Sequence, residues 1–122
     1  MIRTSRIGYC DGIDITVKSC APEWRGLTPT WEMVMQFKSG CLSKGEYTRR
    51  YLSLLESPAG RDAVLRLVDH VREHGYVVLL CYCRPGAFCH RILLAQHLEQ
   101  FGLPYDGEVR LEDSLFEPPP TT

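Results

Sequence analysis

No stretch of this chain approaches the roughly 20 apolar residues that a bilayer crossing requires. Its longest apolar run, Tyr76 to Cys83, has eight. No charged-then-apolar leader precedes Gly8, so a cytoplasmic location is the expectation. An excess of charge is missing too: 14 Lys and Arg stand against 15 Asp and Glu, for a net charge of −1. That excludes the chain-wide positive footprint of a duplex-DNA binder and leaves only local basic patches open. There is no internal repeat and no Cys-X-X-Cys spacing, which argues against repeat architectures and dithiol enzymes of the usual pattern.

What remains is ordinary globular material, 44% hydrophobic and 24% charged. A chain of 122 residues forms one domain and buries roughly two thirds of its unfolded surface without staples. The six cysteines are therefore expected as free thiols, because a disulfide framework suits short secreted chains. Cys10, Cys20 and Cys41 are scattered and read as small buried apolar residues.

One segment organises the rest, YVVLLCYCRPGAFCHRILLAQHLEQF from Tyr76 to Phe101. Its apolar opening suits a strand covered on both faces. Arg84, Pro85 and Gly86 mark a turn. Ile92, Leu94, Ala95, Leu98 and Phe101 then recur at helical spacing, stopped by Gly102 and Pro104. In open α/β sheets ligands bind where strands end and helices begin. Here that junction carries three cysteines, a histidine and two arginines.

Upstream, Ile2–Ile7 reads as a strand, and Ile13, Ile15 and Val17 as a half-buried strand after an Asp11-Gly12 turn. Residues 19–29, with two prolines and a glycine, are expected to be irregular. Trp24 within them either packs that loop down or offers a flat surface to a ligand. Thr30 and Ser43 are candidate helix caps, the second with Glu46 three residues on. Pro58 should stop the helix from Ser43, and Gly60 and Arg61 lead into another ending near His74. Gly107–Leu111 is a weaker strand candidate. The expectation is a small three-layer α/β domain over residues 1–116, a mostly parallel sheet with helices on both faces, followed by a Pro-rich tail at 117–122.

Three readings of the Cys/His cluster compete. Cys89 or Cys83 could be an activated thiolate, with His90 as a further catalytic group, in an anion-binding pocket at a helix start. Arg84 and Arg91 would bind the anion, a phosphate-bearing nucleotide or nucleic-acid end. Gly8, Tyr9, Asp11, Trp24 and Arg25 are added as ligand-binding candidates because they follow the first two strands. Lys18 and Ser19 leave the second strand, and Tyr47, Arg50 and Tyr51 could reach a ligand from the helix side. Alternatively, Cys83, Cys89 and His90 hold a metal, zinc by donor type, in a non-catalytic module. Cys81 and Cys83 would stand about 6–7 Å apart on an extended strand, so using both would require the strand end to bend. In the third reading the cysteines are structural, Cys81 above all, and the domain is an accessory interaction module. A Cys83–Cys89 redox disulfide is a further option.

Leu79-Leu80-Cys81-Tyr82-Cys83 followed by Cys89-His90-Arg91-Ile92-Leu93-Leu94-Ala95 resembles the signature of the domain of unknown function 488 (DUF488) family. Asp11-Gly12, Ala21-Pro22-Glu23-Trp24-Arg25 and Glu46-Tyr47-Thr48-Arg49-Arg50-Tyr51 fall in the family's order. The resemblance implies an α/β fold and a pocket, and carries no established reaction.

Overall fold

The computed structural model describes residues 1–83 and 87–109. The Arg84-Pro85-Gly86 turn, residues 110 and 111 of the last strand candidate and the 117–122 tail lie outside them. Four strands, β1 (Ile2–Arg6), β2 (Ile13–Asp14), β3 (Val77–Cys81) and β4 (Tyr105–Val109), form one sheet in the order β2-β3-β1-β4. Every pairing is parallel. Among the described residues four α-helices accompany them: α1 (Trp31–Lys38), α2 (Lys44–Glu56), α3 (Pro58–His74) and α4 (His90–Leu98). This is the expected α/β domain with a parallel sheet.

Register explains which side chains face which layer. Ile2 pairs with Val77, Thr4 with Leu79 and Arg6 with Cys81. Side chains alternate along a strand, so Ile2, Thr4, Val77, Leu79 and Cys81 share one face. That face carries the main core, joined by Leu27, Tyr51, Leu55, Leu67, Val68, Leu94 and Leu98 from the helical segments. Val78 and Leu80 point the other way, into a smaller cluster with Val109, Ile7 and Cys10. All five residues of β3 are buried, as its unbroken apolar run requires.

The helix limits follow local chemistry. The Thr30 and Ser43 side chains cap α1 and α2 by accepting from the backbone N–H of Met33 and Glu46. Pro58 both stops α2 and starts α3: Ser57 caps the α3 N-terminus by accepting from Gly60 N–H, and proline needs no partner in a first turn. Gly60 permits the close turn between the two helices, since a Cβ there would lie 2.0 Å from the Leu54 carbonyl oxygen. Gly75, at φ 84°, ends α3 in the left-handed conformation that glycine adopts without strain.

Three expectations shift. β2 stops at Asp14 rather than reaching Val17, because Asp14 Oδ1 accepts from the Thr16 N–H and hydroxyl and turns the chain. Residues expected to be irregular contain a 3-10 helix, Pro22–Leu27, started by Pro22. β4 begins two residues earlier than expected, at Tyr105.

Candidate functional site

The end of β3 and the start of α4 meet as the topology demands. Cys81 is the last residue of β3, on the face toward the helices, and the chain bends immediately after it. Cys89 is the N-cap of α4. The bend brings in Cys83, and the three Sγ atoms lie within 4.8 Å of one another. Cys81 Sγ and Cys89 Sγ are 2.7 Å apart. Cys81 and Cys89 are buried and Cys83 is half-buried. The expectation of sulfurs held far apart by an extended strand thus gives way to a compact trio.

Two neighbours fix that trio. The Arg91 side chain is fully enclosed. Its Nε and Nη2 both reach Oε1 of Glu108 at 2.6 Å. Its Nη1 donates to Cys81 Sγ at 2.6 Å and to the Cys83 carbonyl at 3.2 Å. His90 Nε2 lies 2.7 Å from the Ile15 carbonyl, which can only accept, so Nε2 carries the proton. Burial, opposed by that hydrogen bond, holds the imidazole below its ordinary pKa and therefore neutral. Nδ1 is then an acceptor, 3.5 Å from Cys89 Sγ.

The contacts among the three sulfurs push their pKa values apart. Hydrogen bonds from Cys81 and then Cys89 hold Cys83 far below the usual thiol range against the cost of burial, helped by Arg91. The contact with Cys83 raises Cys81, the contacts with Cys81 and then Cys83 raise Cys89, and burial adds to both. These contacts favour negative charge on the more exposed Cys83, while the Arg91 guanidinium donates to the sulfur of Cys81.

A cavity of about 610 Å³ opens above the trio. Cys81, Cys83, Cys89 and His90 line it together with Trp31, Phe37, Tyr47, Tyr82 and Phe88. Phe37, Tyr47 and Phe88 pack mutually at 5.2–5.5 Å between ring centroids. Two cations, Lys18 and Lys38, complete the described wall, with Lys18 Nζ 4.2 Å from the centre of the Trp31 ring. At its edge Asp14 Oδ2 accepts from Ser19, whose hydroxyl lies 3.5 Å from that of Tyr82.

Of the expected site residues, Cys83, Cys89 and His90 converge on this cavity. Arg91 does not line it and instead holds the sulfurs from behind. Gly8, Tyr9, Asp11, Trp24 and Arg25 are not among its lining residues either. Trp24 is buried in the main core, edge-on to His70, where it packs its segment down. Arg25 donates to the Val17 carbonyl, and Arg84 lies outside the described residues. Cys81, expected as plain core, belongs to the trio, whereas His90, expected among metal ligands, stands outside the three-sulfur group. Cys41, expected to be buried, is exposed. Lys18 and Tyr47, named as candidates, line the cavity, whereas Lys38, Trp31, Phe37, Tyr82 and Phe88 were missed as site residues. Trp31, Val34 and Lys38 recur at helical spacing on α1, a pattern that reads equally well as a core stripe.

Fold and site together define a small parallel α/β domain with a thiol-floored cavity at its strand ends. The family model DUF488-N3a, described as the active DUF488-N3 subclade, matches residues 11–102. The chain therefore belongs to the DUF488 family. No curated protein and no solved structure matches it.

Proposed function

We infer that the domain binds a small anionic ligand with a flat ring, a nucleotide or nucleic-acid-derived group, and presents Cys83 to it as a nucleophile. The observation that carries this reading is the cavity itself: three sulfurs at its floor, aromatic rings on its walls, and Lys18 and Lys38 as its cations. Its volume falls within the roughly 300–1,000 Å³ typical of small-molecule sites. Rings such as Trp31 and Phe88 offer faces for a base, and the lysines offer charge to a phosphate. Arg91, fully enclosed and paired with Glu108, serves the thiols rather than the ligand. The family description as an active subclade accords with chemistry at this site.

Calorimetric titration with nucleoside mono- and diphosphates tests the reading. Saturable binding should weaken about tenfold, or 1.4 kcal/mol, in a Lys18→Ala/Lys38→Ala protein. No binding at millimolar ligand, or equal affinity in the double variant, overturns it.

The trio also supports a second reading, a bound soft metal, since three thiols could hold an ion such as zinc. A tetrahedral zinc site separates its sulfurs by about 3.8 Å, given Zn–S bonds of about 2.3 Å. Cys81 and Cys89, 2.7 Å apart, would have to spread by about 1 Å. Elemental analysis decides: stoichiometric zinc, with a melting temperature that falls on chelation, would establish the metal instead.

A further inference from the structure

The proposed function needs one reactive thiol, yet three sulfurs converge. Cys81 and Cys89 are 2.7 Å apart, so an S–S bond of about 2.05 Å requires them to close by only about 0.7 Å. Neither is open to solvent beyond a trace, whereas Cys83 is half-buried and lines the cavity. An incoming molecule therefore meets Cys83 first, with two partner sulfurs within 4.8 Å of it.

We propose that Cys81, Cys83 and Cys89 form a three-cysteine relay that reduces a hydroperoxide entering through the cavity and stores the oxidation as a Cys81–Cys89 disulfide. Cys83 sulfur attacks the terminal peroxide oxygen, the O–O bond breaks, and an alcohol or water leaves with one proton. Cys83 becomes a sulfenic acid. The Cys89 thiol then attacks that sulfur, water departs, and a Cys83–Cys89 disulfide forms. Finally Cys81 attacks the Cys89 sulfur and expels Cys83, the most solvated of the three and so the best leaving group. The two electrons taken up by the peroxide come from Cys81 and Cys89, and an external dithiol reductant returns them. Arg91 Nη1, on Cys81 Sγ and on the Cys83 carbonyl, keeps the strand end and the bend in register for the exchange. The relay rests on the same assignment of Cys83 as the entry thiol, but not on any nucleotide.

The test is to treat the reduced full chain with one equivalent of hydrogen peroxide and map the products by mass spectrometry. The expected result is a loss of 2 Da, about two protons, with a cross-link joining Cys81 to Cys89 and with Cys10, Cys20 and Cys41 unmodified. Cys83→Ser should form that cross-link at least tenfold more slowly, Cys81→Ser should stop at a Cys83–Cys89 bond, and Cys41→Ser should match the parent. Near-ultraviolet circular dichroism verifies that each variant is folded. Cys83 running on to sulfinic acid without a cross-link, or an unchanged rate in folded Cys83→Ser, overturns the relay. Nucleotide binding by calorimetry is a separate readout, so either idea can fail alone.

Discussion

Glu108→Gln probes the support beneath the thiols. The substitution keeps the shape of the side chain and removes the charge facing Arg91, whose side chain is 0% exposed while that of Glu108 is 11% exposed. Burial opposes the charge on Arg91, but the Glu108 hydrogen bond and the adjacent sulfurs outweigh it and keep the guanidinium protonated. Removing one partner of a buried ion pair costs about 3–5 kcal/mol, because the other charge stays desolvated. The residual exposure of Glu108 and the retained amide place the expected loss at the low end, about 3 kcal/mol. With an m-value of about 2 kcal/mol/M for a domain of this size, the urea midpoint should fall by about 1.5 M. Removing both charges, in Arg91→Met/Glu108→Gln, should lose less than the two single variants summed, since the contact between them is lost only once. A single variant within about 0.5 kcal/mol of the parent, or a double variant that is worse than additive, would refute the claim that this pair is a desolvated, mutually dependent unit.

Other consequences can be checked on the same purified protein. Tyr51, fully buried, donates its hydroxyl to the Leu27 carbonyl at 2.6 Å, so Tyr51→Phe should cost about 1–2 kcal/mol in urea unfolding; a neutral result would mean that water replaces the hydroxyl. Gly60→Ala drives a methyl against the Leu54 carbonyl oxygen and should cost about 1–3 kcal/mol or more, read as a lower melting temperature. His90 is held below its ordinary pKa, so the unfolded chain takes up a proton first as pH falls through about 6.5. Stability should be full above that value and decline with falling pH until the folded-state pKa is passed. Urea midpoints from pH 8 to 5 should show that slope, and His90→Gln should reduce it.

Much of this architecture was legible because local and global signals agree. The uninterrupted run from Val77, the Ser43/Glu46 cap and the helical spacing after Cys89 each led to the element observed. β2 was overextended because the Ile13/Ile15/Val17 alternation persists in the sequence, while Asp14 bends the backbone through a side-chain hydrogen bond that periodicity does not register. The meeting of Cys83 and Cys89 followed from topology. The recruitment of Cys81 did not, since it depends on how sharply the chain turns after β3. The role of Arg91 was equally hidden: an arginine beside a helix start suggests an anion site, and only β4, by bringing Glu108 across, turns it inward. The aromatic wall comes from three separate segments, α1, α2 and the loop before α4, and no single window of sequence contains it.

The most direct measurement is alkylation by iodoacetamide at neutral pH, followed cysteine by cysteine, with and without a saturating nucleoside monophosphate. The account predicts that Cys83 reacts before Cys81 and Cys89, and that the ligand slows Cys83 while leaving the exposed Cys41 unaffected. A Cys83 no more reactive than its two buried neighbours, or one alkylated at the same rate under saturating ligand, would contradict it.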